Sequence, residues 1–381
     1  MSGRLFSVMR MLKKLYRTAA AFVAAVLFAM PCAAAPSCCA ACAILMDADT
    51  GAVLYENQAD KRSLIASTTK IMTAVVVLEH CDPTEEFVIP PEAVNVEGSS
   101  IYLQVGEVLT VEELLYGMML QSGNDAAIAL ALACSGSVEE FVVLMNLKAQ
   151  ALGLENTSFE NPNGLDGEAH YSTARDLATL TAYALDNPMF RKIVSTKNYR
   201  CGSRCFTNHN KLLWSVEGAI GVKTGFTKAA GRILVSAAER CGRRLIAVTI
   251  NDGSDWQDHK ALYDYGFSRY RERTLVELRS PVAEIPLMDG SRVTLLAGDS
   301  VTCHAAEDEQ VTLRLLYPRQ AFSAGIAGTF AGSAAVYLGG RRIATIRLLW
   351  GKTGNFYEPT TAKNSVRPRG CIAAGSGTAD L

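Results

Sequence analysis

The sequence lacks the features that mark several classes of protein. Its 381 residues carry 37 Lys and Arg against 38 Asp and Glu, so there is no basic excess of the kind that accompanies nucleic-acid binding. No internal repeat of the solenoid type is present. Cys39-Ala-Ala-Cys42 has the spacing of a metal-binding pair, but a zinc site needs about four ligands and no second pair accompanies it. We therefore expect no nucleic-acid partner, no metal and no organic cofactor.

Also missing is an apolar run long enough for a comfortable transmembrane helix, which needs about 20 residues. The chain begins with a basic leader, continues with the apolar residues 19–30 and then reaches small residues around Ala34 and Ala35. This order is typical of a secretory signal, so residues 1–35 are predicted to be a signal peptide that is cleaved near Ala34 or Ala35. The alternative is an uncleaved membrane anchor. Loss of the segment predicts an exported, extracytoplasmic protein.

Cysteine, by contrast, is plentiful, with eleven residues in the chain. Export would permit disulfide bonds, and Cys201 with Cys205 is one short-range possibility. A host that lives without oxygen could instead keep the thiols reduced, and the sequence leaves both alternatives open.

The order of the predicted elements indicates an α+β fold. A hydrophobic share of 49% is enough for a sizeable core. The predicted elements are a hairpin at residues 44–55, helices at 68–79, 111–120, 125–134, 137–152 and 172–185, strands at 218–225, 233–237 and 245–250, and a helix at 259–270. Ser137 and Ser172 are the expected caps of two of these helices. We expect the first hairpin to join the later strands in one antiparallel sheet flanked by helices, with a helical subdomain between them.

The chain changes character at about residue 275. Short strand-like segments separated by Gly- and Asp-bearing turns predict a small all-β domain at residues 275–350, after a main domain at 36–274. The tail at residues 351–381 is polar and without periodicity, so it is expected to be disordered. It shows no apolar face, so any membrane contact is expected to be peripheral.

Ser67-Thr-Thr-Lys70 is the first motif whose side chains could carry out catalysis. A serine and a lysine three residues apart project from nearly the same face of a helix. A serine hydroxyl needs a base to become a nucleophile, and a lysine can serve if burial and nearby positive charge lower its pKa. The alternative is a helix cap followed by a solvated lysine.

Two further motifs follow in the chain. Ser122-Gly-Asn124 lies between two predicted helices, where a hydroxyl and an amide could face a cleft; the alternative is a helix C-cap at Gly123 followed by an Asn cap. Lys223-Thr-Gly225 ends a predicted strand, where a cation and a hydroxyl could hold a carboxylate and Gly225 would let substrate backbone approach. The alternative is an ordinary edge-strand lysine with a turn glycine. A second Lys-Thr-Gly, at residues 352–354, borders the tail, so we do not expect it to be the motif of the active site.

Together and in this order, the three motifs resemble the S-x-x-K, S-D-N and K-T-G set of penicillin-binding proteins and class A β-lactamases. The chain is similar in particular to the low-molecular-mass penicillin-binding proteins, the serine-type D-alanyl-D-alanine carboxypeptidases. The resemblance extends to the hairpin at residues 44–56, to Asn163-Gly-Leu-Asp166 with His170-Tyr-Ser-Thr-Ala174, and to His209 through Gly231. It covers residues 42–270 well and the β domain more loosely. It implies a penicillin-binding/β-lactamase-like fold.

Two differences separate this sequence from the class A β-lactamases. Gly123 stands where the β-lactamase motif has Asp, and no convincing equivalent of the deacylating Glu is present, since Glu168 lies in carboxypeptidase-like surroundings. Both observations favour a carboxypeptidase.

The resemblance implies a site and a reaction at the cell wall or the outer face of the cytoplasmic membrane. The implied catalytic residues are Ser67 as nucleophile, Lys70 as base, Ser122 as proton relay and Asn124 as the group that fixes Lys70. The implied substrate-binding residues are Lys223, Thr224, Gly225 and Phe226, with Phe226 supplying a backbone N–H to the oxyanion. The implied partners are peptidoglycan stem peptides ending in D-Ala-D-Ala, and β-lactams as inhibitors. The alternatives are a β-lactamase or transpeptidase with the same acylation machinery, or an inactive wall-binding homologue.

Overall fold

The structure is a computed structural model that describes residues 36–288, 290–317, 321 and 323–353. The predicted signal segment at residues 1–35 and residues 354–381 of the predicted tail lie outside the described residues.

Among the described residues, seven of the eight helices, the helical block, lie in the chain between the first hairpin and the last three strands of the main sheet, and the eighth follows the last of those strands. The helices correspond to apolar segments of the sequence that are bounded by polar residues. In the described chain they are α1 (Lys70–His80), α2 (Val111–Gln121), α3 (Asn124–Ser135), α4 (Val138–Ala151), α5 (Ala174–Leu185), α6 (Pro188–Ser195), α7 (Leu212–Ser215) and α8 (Asp255–Ser268).

Side-chain caps explain where several of these helices begin. Thr110 Oγ1 accepts a hydrogen bond from the Glu113 backbone N–H, and the Thr110 backbone N–H donates one to the Glu113 carboxylate, which makes a capping box at the start of α2. Ser137 accepts from the Glu140 backbone as expected. The predicted cap Ser172 is wrong by one residue, because Thr173 accepts from the Asp176 backbone while Ser172 pairs with Ser63 in an isolated bridge.

One antiparallel sheet carries the main domain. Its strands are β1 (Cys42–Asp47), β2 (Val53–Asn57), β7 (Ala219–Thr227), β8 (Gly231–Arg240) and β9 (Arg243–Ile250), in the order β2-β1-β9-β8-β7. The first hairpin therefore joins the last three strands through the pairing of β1 with β9, as the sequence predicts. Strand β7 lies at one edge of this sheet, where one of its sides remains open to a ligand.

Both faces of the sheet are covered. In β1, where every residue is buried, Ile44 packs with the helical block and its neighbour Leu45 packs with α8. Strand geometry explains the alternation, because successive side chains point to opposite faces. The sheet thus separates a large core on the helical side from a smaller core that includes Leu262 and Tyr263 of α8.

Two short hairpins extend from the helical block. They pair β3 (Glu86–Val88) with β4 (Val108–Thr110) and β5 (Asn198–Cys201) with β6 (Arg204–Thr207). In the second hairpin Cys201 lies opposite Arg204 and Cys205 opposite Arg200, and both cysteines are free thiols. The suggested bond between these cysteines is therefore not formed.

The C-terminal part is all β, as predicted. Its strands are β10 (Arg271–Val276), β11 (Pro281–Pro286), β12 (Arg292–Ala297), β13 (Val301–Ala305), β14 (Val311–Tyr317), β15 (Phe330–Leu338) and β16 (Arg341–Thr353). Five of them form the sheet β11-β12-β16-β15-β14, while β10 pairs with β13. The β structure begins at Arg271, before the predicted boundary at residue 275, and runs to Thr353, beyond the predicted boundary at residue 350.

A buried arginine joins the two domains. The Arg243 guanidinium contacts Asp47 of β1 at 3.4 Å and Glu309 of the β domain at 2.6 Å, and its side chain is only 2% exposed. Tyr270 donates a hydrogen bond to Asp47 at 2.8 Å from the segment that links the domains. These contacts tie the main sheet to the β domain.

Among the described residues, no single helix combines the length and apolarity that a membrane span requires. The pair α3 and α4 meets that requirement only jointly, by length and composition, across an 86° bend.

Candidate active site

Ser67 lies on a 3-10 turn, Ala66–Thr69, that leads directly into α1. The turn begins with Ala66 in the left-handed region at φ 44°, a conformation that non-glycine residues rarely adopt. Gly164 packs against it, so closely that a Cβ at this position would stand 2.0 Å from the Ala66 carbonyl oxygen. Only glycine fits there, and the loop that contains Gly164 thereby buttresses the turn that presents Ser67.

Lys70 begins α1 and is completely buried. Its Nζ donates to Ser67 Oγ at 3.0 Å, to Asn124 Oδ1 at 2.7 Å and to the Asn163 carbonyl oxygen at 2.6 Å. Burial, followed by the nearby positive charge of Lys223, holds the pKa of Lys70 well below its usual value, although the charge of Asp125 opposes this. A lysine in this condition gives up its proton more readily than an exposed one and can act as a base toward Ser67.

Ser122-Gly-Asn124 forms the junction between α2 and α3. Ser122, rather than the suggested Gly123, takes the left-handed conformation that ends α2, with φ 63°. Asn124 opens α3; its amide donates to the Glu97 carbonyl at 2.5 Å, which leaves its oxygen to accept from Lys70. The break between two buried helices thus places Ser122 on the cleft surface and Asn124 beside the lysine.

Asp125 fixes the loop that covers this junction. Its buried carboxylate accepts hydrogen bonds from Ser100 Oγ and from the backbone N–H groups of Ile101 and Leu103, at 2.6 to 3.2 Å. Residue 125 therefore holds the loop containing Ser99, another residue of the cleft wall.

Lys223-Thr-Gly225 lies on the edge strand β7. Lys223 is 1% exposed and donates to the Thr224 carbonyl at 2.8 Å, and burial lowers its pKa to about 7. A Cβ on Gly225 would stand 3.3 Å from the Ser67 backbone nitrogen. The absence of a side chain at Gly225 therefore lets β7 run directly beside the nucleophile turn.

These motifs border one cleft of about 500 Å³. Its lining comprises Ser67, Ser99, Ser122, His209, Thr224, Gly225, Phe226, Arg232, Ile233, Asp255 and Trp256. Phe226 is 64% exposed at its rim. The three motifs, separated by more than fifty residues at each interval, therefore each contribute residues to the lining of one cleft.

Several site residues have no role in the sequence prediction. Asn163 contributes its backbone carbonyl to Lys70, which no side-chain pattern could reveal. Arg232 and Asp255 reach the cleft from β8 and α8, and no motif contains them. His209 stands within the third stretch that carries the resemblance, which is the one sequence signal that marks it.

His170 supports the nucleophile turn from behind. Its Nδ1 accepts from the Glu160 backbone N–H at 3.0 Å, so Nε2 carries the proton and donates to Thr69 Oγ1 at 2.7 Å. Burial lowers the pKa of His170 to about 4, which keeps the ring neutral at physiological pH.

The fold is an antiparallel sheet with a helical block, and the site joins a serine on a 3-10 turn, the buried lysine that follows it and a Lys-Thr-Gly edge strand. This combination defines a serine acyl-transfer enzyme of the penicillin-binding class. The family model described as D-alanyl-D-alanine carboxypeptidase matches residues 30–254. The chain belongs to this family, and the family and activity class expected from the motifs are confirmed.

Relatives and solved structures agree with this assignment. The D-alanyl-D-alanine carboxypeptidase DacF of Bacillus subtilis is 36% identical over 263 residues, which cover 66% of this chain and 68% of that protein. The structure of penicillin binding protein 5 from Haemophilus influenzae has a TM-score of 0.62 at 30% identity and covers 84% of this chain and 99% of that one. The Streptomyces K15 DD-transpeptidase has a TM-score of 0.59 at 38% identity and covers 61% of this chain and 98% of that one.

Proposed function

We propose that this chain removes the terminal D-alanine from peptidoglycan stem peptides ending in D-Ala-D-Ala, through an acyl-enzyme on Ser67. The observation that carries the proposal is the contact of Lys70 Nζ with Ser67 Oγ at 3.0 Å, made by a lysine whose pKa is lowered by burial. Family membership supplies the substrate class.

In the first half-reaction, neutral Lys70 accepts the Ser67 proton as Oγ attacks the carbonyl carbon of the penultimate D-Ala. The backbone N–H groups of Ser67 and Phe226 stabilise the oxyanion. The C–N bond then breaks, and Ser122 relays the proton held by Lys70 to the departing D-alanine amine, so that Lys70 is neutral again for the second half-reaction. Asn124 orients Lys70 throughout, consistent with its 2.7 Å contact.

In the second half-reaction, water hydrolyses the ester. Lys70 takes a proton from the water, the hydroxide attacks the acyl carbon, and Ser67 leaves with a proton as the shortened peptide departs. Gly225 allows the peptide to lie beside β7, and Lys223 with Thr224 binds the terminal carboxylate during the first half-reaction. A β-lactam acylates Ser67 by the same attack on its ring carbonyl.

A second function deserves a direct test. The solved structure from Streptomyces K15 is named a DD-transpeptidase, whereas the curated protein from the same strain is named a D-alanyl-D-alanine carboxypeptidase. The acyl-enzyme of this chain could accordingly pass to an amine instead of water. Hydrolysis and transpeptidation use the same residues until the acyl-enzyme ester has formed. They differ only in whether water or an amine accepts the acyl group.

The proposed site of action is outside the cytoplasmic membrane, at the cell wall or the outer membrane face, with at most peripheral membrane contact. Peptidoglycan is the substrate of the family and lies in that compartment. The N-terminal sequence pattern of a secretory signal supports the same location.

The test is D-alanine release from a pentapeptide ending in D-Ala-D-Ala, with and without penicillin, and with an amine acceptor added in a parallel reaction. Hydrolytic release that penicillin blocks and Ser67→Ala abolishes supports the carboxypeptidase. A product joined to the amine supports the transpeptidase, and rapid penicillin turnover supports a β-lactamase. Peptide binding without release would contradict all three and indicate an inactive homologue.

A further inference from the structure

Two cysteines meet where two helices of the main domain end. Cys81 is the residue at which α1 stops, and Cys134 lies in the last turn of α3. A hydrogen bond joins the two thiol side chains. Both side chains are partly buried and pack against the large core on the helical side of the sheet. Neither cysteine belongs to the three motifs, and no step of the proposed reaction uses them.

The helices α1 and α3 run in the same direction, and they touch at both ends. At their first residues, Lys70 Nζ donates to Asn124 Oδ1 at 2.7 Å. At their far ends the thiols of Cys81 and Cys134 meet. A helix rises about 1.5 Å per residue, so the cysteine pair lies about 15 Å along the helices from Lys70. A covalent bond between the cysteines would therefore hold the helix pair together without entering the cleft.

The hydrogen bond makes the two thiols chemically unequal. It lowers the pKa of the Cys81 thiol, although partial burial and the negative charge of Glu85 oppose this. The same hydrogen bond, together with burial, raises the pKa of Cys134. The thiolate is the nucleophile in thiol–disulfide exchange, so Cys81 is the residue that attacks a disulfide oxidant first, with Cys134 beside it to complete the exchange.

We infer that Cys81 and Cys134 form a disulfide bond that joins α1 to α3 when the folded chain meets a disulfide oxidant of the kind that maintains disulfides outside the cytoplasm. The Cys81 thiolate attacks one sulfur of the oxidant, forms a mixed disulfide and releases one thiol. The Cys134 thiolate then attacks Cys81 Sγ and releases the second thiol. The cysteine pair loses two electrons and two protons, and the oxidant is reduced from one disulfide to two thiols.

The bond would act on stability rather than on the chemistry at Ser67. It closes a loop of more than fifty residues, and a cross-link that closes a long loop removes more conformational freedom from the unfolded chain than one that closes a short loop. Because Lys70 and Asn124 already touch at the other end of the same helices, the cross-link keeps together the two elements that carry them.

The experiment maps the cysteines of the full chain. Protein purified with a reducing agent is freed of it, oxidised with glutathione disulfide and alkylated, and it is then digested without reduction for mass spectrometry. We expect the Cys81 peptide linked to the Cys134 peptide, with a mass two hydrogens below that of the two free peptides together. Two alkylated thiols, a lasting glutathione adduct on Cys81, or linkage of either residue to another cysteine would overturn the inference.

Thermal unfolding tests the consequence of the bond. Oxidised wild type should unfold at a temperature about 5–10 °C above that of reduced wild type. Cys134→Ser should lose this difference, whereas Cys205→Ser, which removes an exposed thiol of β6, should keep it. The same difference in Cys134→Ser as in wild type would contradict the stabilising role of the bond. Neither measurement uses D-alanine release, so failure of the proposed function would leave both results unaffected.

Discussion

Lys70 and Lys223 are two buried lysines that influence each other within one cleft. Lys223 adds to the burial that lowers the pKa of Lys70, while burial alone lowers the pKa of Lys223 to about 7. The proposed mechanism needs Lys70 neutral, as a base, and Lys223 charged, as a carboxylate partner. The pH dependence of the reaction should therefore reflect the protonation of both lysines.

We predict that kcat/KM falls as pH rises through about 7, because free-enzyme Lys223 loses its positive charge there. In Lys223→Arg the charge persists, so this decline should move to higher pH even if the overall rate drops. Steady-state kinetics between pH 5 and 10 measures it, with Lys192→Arg on the exposed surface as control. An unchanged decline in Lys223→Arg would contradict the role given to Lys223.

A second pH effect concerns stability. His170 has a pKa of about 4 in the folded protein and about 6.5 when unfolded, so between these values only the unfolded chain takes up the proton. The free energy of unfolding should therefore decrease as pH falls from about 6.5 to 4. His170→Gln should weaken this dependence, and His80→Gln, at an exposed position, should not. Urea unfolding at several pH values measures it, and identical slopes in wild type and His170→Gln would refute the assignment.

At the scale of elements, catalysis depends on how closely β7 and the loop at Gly164 approach the 3-10 turn Ala66–Thr69. Gly164 and Gly225 both contact this turn. A Cβ at Gly164 would collide with the Ala66 carbonyl, whereas a Cβ at Gly225 would make a tight contact of 3.3 Å with the Ser67 backbone nitrogen. The turn itself is short and begins at a left-handed alanine, so these neighbours determine its position.

Gly164→Ala should displace the nucleophile. The new Cβ would lie 2.0 Å from the Ala66 carbonyl at a φ of +91°, so the turn must move. A shift of about 1 Å costs about 100-fold in rate, and we expect penicillin acylation to slow by that order. Stopped-flow acylation measures the rate.

Gly153→Ala is the matched control. It has a similar left-handed φ of +69° but open space around the new Cβ, so it should lose stability by about 1–2 kcal/mol without losing acylation rate. Equal effects of the two substitutions on acylation would show that backbone strain, not the contact with Ala66, is responsible.

Elements with strong local patterns were predictable from the sequence. The apolar segments of α1, α2 and α3 and the strands β7, β8 and β9 appear at the expected places, as does the sheet that joins them to the first hairpin. The 3-10 turn before α1 and the left-handed Ser122 were not predictable, because contacts distant in sequence stabilise these conformations. Strands β10 and β13 carry no clear alternation of buried and exposed residues, so their sequences indicate strand only weakly.

At the scale of the whole molecule, Arg243 is the central contact between the main sheet and the β domain. It is buried among Asp47, Glu309 and the His304 carbonyl, and its guanidinium lies 4.8 Å from the centre of the Tyr270 ring. No sequence motif marks this arginine, because its partners lie 196 and 66 residues away.

Glu309→Ala should weaken the junction by leaving Arg243 buried with one distant carboxylate. Loss of a partner from a buried pair costs about 3–5 kcal/mol, and we expect the lower end because Asp47 remains at 3.4 Å. Glu284→Ala removes an exposed ion pair of the β domain and should cost less than about 1 kcal/mol. Urea denaturation compares them, and a Glu309→Ala cost no larger than that of Glu284→Ala would contradict the account of the junction.

The central claim is that Ser67, activated by Lys70, is the residue that becomes acylated. Mass spectrometry of the folded protein after incubation with benzylpenicillin, followed by peptide mapping, tests it most directly. The account predicts one covalent adduct on the peptide containing Ser67, slowed strongly in Lys70→Ala and absent in Ser67→Ala. An adduct on another residue, or no adduct on folded wild-type protein, would contradict it.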